Sequence, residues 1–537
     1  MVTVSLYKTQ YIINGVFFII GENMKRKIRL FYWPAIFILA VLFSGCRNAM
    51  NPVEYFTIEV VDSQSGREIP LVELQTVNNI RYYTDSKGII AFYEPGLMNR
   101  NVFFHIESHG YEVKADGFGY RGTTLLTRPG AKATVKISRK NVSERLYRIT
   151  GQGIYRDTVL VGRKPPLKKP VLNGRVLGQD SVMATVYKDK IYWFWGDTNR
   201  ESYPLGHFAV AGATSELPQN GGLDPSQGVE LTYFVDDKGF SKKMAPLGGE
   251  GMIWIQALMT LEDEQGKFRL LAHYQRMASL DKRLEHGLVI FNDEKEVFDK
   301  LVEFPQNSKL EPSGHAFKVD VNKEDYYYFA GSPYPIVRVK ADWKHVIDLS
   351  KYEVFTCLKE GSGYDREAPE LDRKDDGTLN WGWKTNTAAI NVKEHQELID
   401  DGKLRHEEAW LDLRDIETNE EVIAHGGSVF WNEYLKKYIM ILCQVRGTSN
   451  LGEIWYSQAE SPEGPWRFAR KIVTHNKYSF YNPTQHKFFD QEGGRIIYFE
   501  GTYTDSFSGA AFPTPRYNYN QIMYRLDLSD ARLLLPD

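Results

Sequence analysis

Cysteine is nearly missing from this chain: 537 residues include three, Cys46, Cys357 and Cys443. Three cysteines support neither a disulfide framework nor a CxxC metal pattern. A pairing of Cys357 with Cys443 stays open, with two buried free thiols as the expected state. An imbalance of charge is missing as well. Lys and Arg number 66 against 69 Asp and Glu, a net charge of -3. A nucleic-acid binder shows a basic excess, so no nucleic-acid partner is expected. There is no GxSxG elbow, no HExxH and no phosphate-cradling glycine loop. His425, His475 and His486 are scattered without metal-ligand spacing. No cofactor and no metal site are therefore expected, although a structural calcium stays open. No segment after Phe43 is apolar enough to span a bilayer.

Aromatic residues are plentiful instead: 32 Tyr, 29 Phe and 11 Trp. They favour strands, and Tyr and Trp also suit clefts that hold sugar rings. The plain reading is a β-rich core. With 42% hydrophobic residues the chain has enough apolar material for a packed fold.

The N-terminal region has its own order. Met24-Lys25-Arg26-Lys27 is basic, Ile28 to Phe43 is apolar, and Ser44-Gly45-Cys46 follows. Charged, apolar, then small is the order of a secretory signal. A Cys directly after the small residues resembles the lipobox of bacterial lipoproteins. That resemblance implies lipidation at Cys46, a membrane partner through that lipid, and a cell-envelope location for the exported chain. Phe43 is an unusual residue within such a box. Met24 carries the better signal, so residues 1–23 read as upstream of the true start. The alternative is a transmembrane anchor, because the apolar run approaches the shortest span of a bilayer.

From Tyr55 to Lys140 short alternating strands are separated by tight turns. Phe56 to Val61 is a strand, Asp62 to Gly66 a turn, and Pro70 to Leu74 a strand. Thr84 to Gly88 is a turn and Ile89 to Tyr93 a strand. Such spacing predicts a β-sandwich over residues 53–140. The order V-D-x-x-S-G-R-x-I-P-L-V followed by T-D-S-K-G-I-I-A-F resembles the carboxypeptidase-regulatory-like modules, which implies a structural or adhesive role. The Pro/Lys-rich stretch Lys164 to Pro170 reads as extended, so residues 141–170 are taken as a linker.

Residues 171–537 repeat a looser theme: aromatic or β-branched strands in groups, broken by polar, Gly-rich loops. Lys190 to Trp195, Phe268 to His273, Tyr326 to Ala330, Tyr438 to Leu442 and Arg495 to Phe499 are examples. The rhythm is that of propeller blades. The expected fold class is all-β, a sandwich followed by a five-bladed β-propeller, with a two-sheet sandwich as the alternative for the larger part. One short helical insertion is expected. Asn391 with Glu394 forms an N-terminal cap, and Gly402 ends the helix after Asp401.

The sharpest chemical feature is a predicted hairpin. Two strands flank the turn Lys188-Asp189-Lys190, with Gly178-Gln-Asp180-Ser before them and Gly196-Asp197-Thr198 after. A hairpin folds back, so Asp180 and Asp197 arrive at the same end. Two carboxylates at one cleft are what glycosidic hydrolysis needs: one protonates the leaving oxygen, the other activates water or attacks. Against this, an Asp beside a strand commonly caps a turn through backbone N–H groups.

The order G-Q-D-S … D-K-I-Y-W-F-W-G-D-T resembles the opening blade of bacterial propeller hydrolases of the endo-D-arabinanase type. More broadly the layout is similar to the five-bladed arabinanase and xylosidase families. The resemblance implies a glycoside hydrolase with Asp180 and Asp197 as its catalytic pair and a carbohydrate as substrate. The segment Trp381 to Asp415 departs from the pattern. Ser461-Pro-Glu-Gly-Pro-Trp466 is similar to a turn common in propeller glycosidases, a feature of fold rather than catalysis.

A second cluster of amides, hydroxyls and rings lies in the C-terminal third. Tyr481, Asn482, His486, Arg516 and Asn520 are candidates for binding sugar hydroxyls and ring faces, and Glu500 is a candidate acid/base. The competing reading is a polar network that closes the last blade onto the first. Trp195, Glu250, Trp254 and His315 complete the candidate substrate-binding set. Two other functions stay open: a non-catalytic glycan-binding or scaffold protein, and a polysaccharide lyase using Tyr481, His486 and Arg516.

Overall fold

The computed structural model describes residues 54–536 apart from 208, 309, 311 and 332, and the expected signal sequence and Cys46 lie outside them. The fold is all-β with few helices.

Two four-stranded sheets come first. One orders Ile89–Phe92, Phe56–Asp62, Lys132–Arg139 and Tyr111–Glu112; the other orders Arg81–Tyr83, Glu73–Thr76, Asn101–Glu107 and Gly122–Leu126. Strand alternation sends Val102, Phe104 and Ile106 inward, where they share one apolar cluster with Phe56, Ile58 and Val60. Phe56–Asp62 runs parallel to Lys132–Arg139, the first and last long strands of this region. The turn before Ile89 needs glycine: Gly88 has φ +65°, and a Cβ there would lie 2.6 Å from the Val60 carbonyl oxygen.

Beside a three-stranded sheet of Val176–Gln179, Thr198–Arg200 and Tyr203–His207, five larger sheets follow in succession. Each begins on a leading strand: Met183–Tyr187, Met252–Glu262, His315–Val321, Ala424–Asn432 and Ser479–Gln485. From it the chain meanders through antiparallel neighbours. Each leading strand packs against the next. The last returns to the first, because Asn482 Nδ2 donates to Ser181 Oγ at 2.8 Å and Ser181 N–H donates to Thr502 Oγ1 at 3.0 Å. A cavity of about 460 Å³ is lined by residues of all five leading strands, among them Val186, Thr260, Ala316, Trp431 and Gln485.

The reading of residues 141–170 as a linker is corrected here. Glu144–Arg148 is a fully buried strand, antiparallel to Asn520–Asp527, and it completes the fifth sheet. Without it, that sheet would present an unpaired edge. The strand is hard to see in sequence because it reads Glu-Arg-Leu-Tyr-Arg. Two of its three charges are partnered from elsewhere: Arg145 donates to the carbonyls of Pro70 and His109, and Glu144 accepts from Ser65 Oγ at 2.8 Å.

The helix of the insertion spans Val392–Asp400. Asn391 Oδ1 accepts from Glu394 N–H at 3.0 Å, and the Glu394 carboxylate accepts from Asn391 N–H at 2.9 Å. The flanking segments extend two sheets: Gly382–Thr385 adds an edge to the third, and Leu411–Asp415 adds a parallel edge to the fourth. Cys357 and Cys443 are buried free thiols. No helix among the described residues is long and apolar enough to cross a membrane.

Leu146 sits in the closing strand at 1% exposure. Leu146→Ala is expected to lower stability by about 2–5 kcal/mol, read by chemical denaturation. A change within about 0.5 kcal/mol, the range of surface substitutions, would mean the strand does not close the sheet.

Candidate active site

The predicted hairpin forms from Met183–Tyr187 and Lys190–Trp195, with Met183 opposite Phe194 and Tyr187 opposite Lys190. Lys188 and Asp189 both have positive φ, as a two-residue hairpin turn of mirror type requires. At the open end the chain is drawn together by two bonds. Gly196 N–H donates to the Asp180 carbonyl at 2.8 Å, and Asp197 N–H donates to Asp180 Oδ1 at 3.0 Å. A Cβ on Gly196 would lie 2.4 Å from Asp180 Oδ1, so only glycine permits this approach.

Asp180 therefore caps a turn, but only with one oxygen. Its Oδ2 accepts from Tyr481 OH at 2.8 Å, and the Tyr519 side chain is a further donor to the same carboxylate. Both aspartates line a cavity of about 620 Å³ together with Trp254, Tyr481, Asn482, Tyr519, His425 and Phe507. Trp254 Nε1 donates toward Asp197 Oδ1 at 3.4 Å.

The electrostatics separate the two groups. Burial, followed by the charge of Asp180, pushes the Asp197 carboxyl up to about 7, with Trp254 opposing. Burial also raises Asp180, against the donors Tyr481, Tyr519, the Asp197 amide and Ser181. Burial and the neighbouring Asp180 raise both tyrosines, so each remains a protonated donor. One carboxyl thus has several donors and the other a single weak one.

Of the residues singled out in sequence, Asp180, Asp197, Trp254, Tyr481 and Asn482 meet at this cavity. The others lie elsewhere. Trp195 is 1% exposed and stacks on Trp193 with centroids 6.3 Å apart, so it packs the core rather than a sugar. Glu250 is exposed on its glycine-rich loop and does not line the cavity. His315 faces the 460 Å³ cavity, where its Nε2 pairs with Thr484 Oγ1 at 2.8 Å. Burial and nearby His486 lower it to about 3, so it is neutral.

Glu500 and His486 bond each other at 2.8 Å, both fully buried, with His486 edge-on to Trp193. Neither lines the cavity of the aspartates, which corrects the reading of Glu500 as acid/base and of His486 as a ligand contact. Arg516 lines a separate cavity of about 520 Å³. Asn520 is a buried tie: its Oδ1 accepts from Thr150 Oγ1 at 2.9 Å, and its Nδ2 donates to the Leu177 carbonyl at 3.1 Å. For Asn520 the closing-network reading is the correct one.

Tyr519, His425 and Phe507 were not picked out from sequence as cavity residues. Tyr519 belongs to the same polar run as Arg516 and Asn520, but its left-handed φ of +61° turns it to the cavity. Phe507 also has positive φ, is 65% exposed, and meets Tyr481 edge-on at 6.2 Å. Among the described residues no group of three or more His, Cys, Asp or Glu is arranged to hold a metal ion.

No protein-family model matches the sequence, and no curated protein matches it. Solved structures with a similar course of chain include glycoside hydrolases. An exo-β-1,3-galactanase from Phanerochaete chrysosporium, bound to β-1,3-galactotriose, is 10% identical with a TM-score of 0.35, over 73% of this chain and 66% of that one. A GH43_1 enzyme from Xanthomonas citri complexed with xylose is 13% identical with a TM-score of 0.32, over 66% and 88%. An exo-1,5-α-L-arabinanase from a bovine ruminal metagenomic library is 11% identical with a TM-score of 0.31, over 66% and 94%. At such values the likeness identifies no substrate and no site.

The raised Asp197 carboxyl carries a stability cost with a defined sign. Its folded value of about 7 lies above that of an unfolded Asp, so the native state holds an extra proton between about pH 4 and 7. Wild-type stability from this group is fully present below about pH 4 and is lost as pH rises through 7. Asp197→Asn is expected to be more stable than wild type at pH 8 by about 1–2 kcal/mol, after discounting for cavity water. The gain disappears at pH 4, as melting curves at the two pH values would report.

Proposed function

We propose that this chain is a glycoside hydrolase, with Asp180 and Asp197 as its carboxylate pair, on a five-bladed β-propeller preceded by a β-sandwich of the carboxypeptidase-regulatory-like kind. The observation that carries the reading is that one hairpin delivers both aspartates to one 620 Å³ cavity, with Asp197 pushed up to about 7. Asp197, protonated near neutral pH, is the general acid that protonates the leaving glycosidic oxygen. Asp180, whose charged form Tyr481, Tyr519 and the Asp197 amide favour against its burial, activates water or attacks the anomeric carbon. Trp254 and Phe507 offer ring faces for the apolar side of a sugar, and Asn482 offers an amide for its hydroxyls.

No Lys or Arg is among the described residues lining this cavity. A lyase needs a cation for the uronate carboxylate, and of its three candidates only Tyr481 faces the site. We therefore take the substrate to be a neutral polysaccharide or oligosaccharide. The sequence order from Met24 to Cys46 supports export and lipid attachment at Cys46, which would hold the hydrolase at the cell envelope.

The test is release of reducing ends from neutral glycans such as D-arabinan, L-arabinan, galactan and xylan. Asp180→Asn and Asp197→Asn are each expected to lower the rate by about 10²–10⁴-fold while the protein stays folded, because Asn at 180 still accepts the Asp197 amide. Binding of a glycan by wild type without any product would favour a non-catalytic binding protein instead.

A further inference from the structure

The N-terminal sheets meet the rest of the chain at a dense polar seam, and the seam runs into the active site. Four consecutive residues, Tyr517 to Asn520, grip four different places. Tyr517 OH donates to the Thr84 carbonyl at 2.7 Å and accepts from Leu71 N–H at 3.1 Å, both in the N-terminal sheets. Asn518 Oδ1 accepts from Tyr478 OH at 2.8 Å and from Asp505 N–H at 2.7 Å. Tyr519 offers its carbonyl to Gln179 N–H at 2.8 Å and its side chain to Asp180. Asn520 ties Thr150 and Leu177.

The segment is not free to move along itself. Arg516 and Tyr519 both hold positive φ, a conformation that non-glycine residues keep only when their surroundings impose it. Tyr517 is 3% exposed, and the Arg148 guanidinium lies over its ring at 4.9 Å. The neighbouring loop of the N-terminal sheets is held separately: Ser86 Oγ accepts from Arg148 N–H at 3.1 Å, and Asp85 Oδ2 accepts from Thr158 N–H at 2.6 Å.

We propose that the N-terminal sheets are part of the catalytic architecture, and that Tyr517 is the positioning residue through which they hold Tyr519 on Asp180. The module is then a clamp on the active site rather than an appended adhesive domain. Its two backbone partners, at Leu71 and Thr84, set the height of the 517–520 segment, and hence the reach of the Tyr519 hydroxyl. The activity arm of the test below rests on the hydrolase reading; the other arms do not.

The expected direction follows from the pair. A donor on Asp180 favours its ionised form. When Tyr519 is displaced, Asp180 loses its proton at a higher pH. Asp197 then faces less negative charge and loses its proton at a lower pH. The two aspartates titrate as a coupled pair, so both steps move together. The acidic limb of a bell-shaped rate profile would move to higher pH.

The experiment uses the full chain and the Tyr517→Phe variant, which keeps the ring beneath Arg148 and removes only the two bonds to the N-terminal sheets. Carbodiimide coupling to protonated carboxyls, mapped by peptide mass spectrometry across pH, reads Asp180 and Asp197 separately. Tyr517→Phe is expected to raise the Asp180 midpoint and lower that of Asp197 by about 0.5–1 pH unit, in the same direction as Tyr519→Phe. Ser86→Ala loosens the seam away from Tyr517 and is expected to leave both midpoints in place. Midpoints unchanged in Tyr517→Phe but moved in Tyr519→Phe would overturn the proposal, as would equal shifts in Ser86→Ala.

Coupling is reciprocal, which supplies an arm that needs no substitution at 517. Hydrogen exchange at the Leu71 amide is expected to quicken several-fold in Tyr519→Phe, and an unchanged rate would overturn the proposal even if Tyr517→Phe does not fold. If wild type cleaves no glycan, the hydrolase reading fails while the labelling and exchange results still decide the role of Tyr517.

Discussion

The hydrogen bond from the Asp197 amide to Asp180 Oδ1 is the contact on which the candidate site depends. It holds the two ends of the hairpin together beyond the last paired residues, where the ladder alone would let them splay. It also demands Gly196 between them. Turn-capping and catalysis are often weighed as rival explanations for an Asp beside a strand. Here the turn-capping bond occupies only one oxygen of the carboxylate: Oδ1 takes the main-chain amide and Oδ2 takes Tyr481. A buried carboxylate with few donors would hold its proton or destabilise the fold. Asp180 has the donors and Asp197 largely lacks them, and this difference gives two like residues different surroundings.

A second constraint is closure. A succession of sheets that returns on itself needs its last member bonded to its first, and the chain does this with strands and polar side chains together. Glu144–Arg148 comes from the beginning and completes the sheet that Asn520–Asp527 ends. Gln521 Nε2 donates to the Gln179 carbonyl at 3.1 Å and to Thr502 Oγ1 at 2.9 Å, just beside Asp180. Much of the amide and hydroxyl wealth of the C-terminal third serves this closure. Tyr481 and Asn482 escape it because the pairing register shifts between Tyr481 and Thr484, and Asn482 takes positive φ. Two neighbouring residues thereby face one cavity, which a regular strand does not allow.

Interior polarity also separates site from scaffold. Glu500 with His486 and Asn520 with Thr150 bond each other inside the protein and away from the cavity of the aspartates. Their residue types suit catalysis as well as those of Asp180 and Asp197 do. What distinguishes them is the direction in which they point, and direction along a strand depends on register, bulges and the identity of the neighbouring sheet.

Local rules therefore determined the local pieces. Alternation and turn residues in the sequence are enough for the Asp180–Asp197 hairpin, because its two strands are separated by two residues and need no distant partner. The same holds for the helix Val392–Asp400, whose cap is contained within four residues. The tertiary structure alone decided the rest. Glu144–Arg148 becomes a strand only because Asn520–Asp527 lies beside it, far along the chain. Tyr519 reaches Asp180, and Glu500 does not, because backbone conformation and register turn one hydroxyl to the cavity and bury the other group behind a sheet. Side-chain chemistry is written in each residue, but which side chains share a space is a property of pairings that no local window contains.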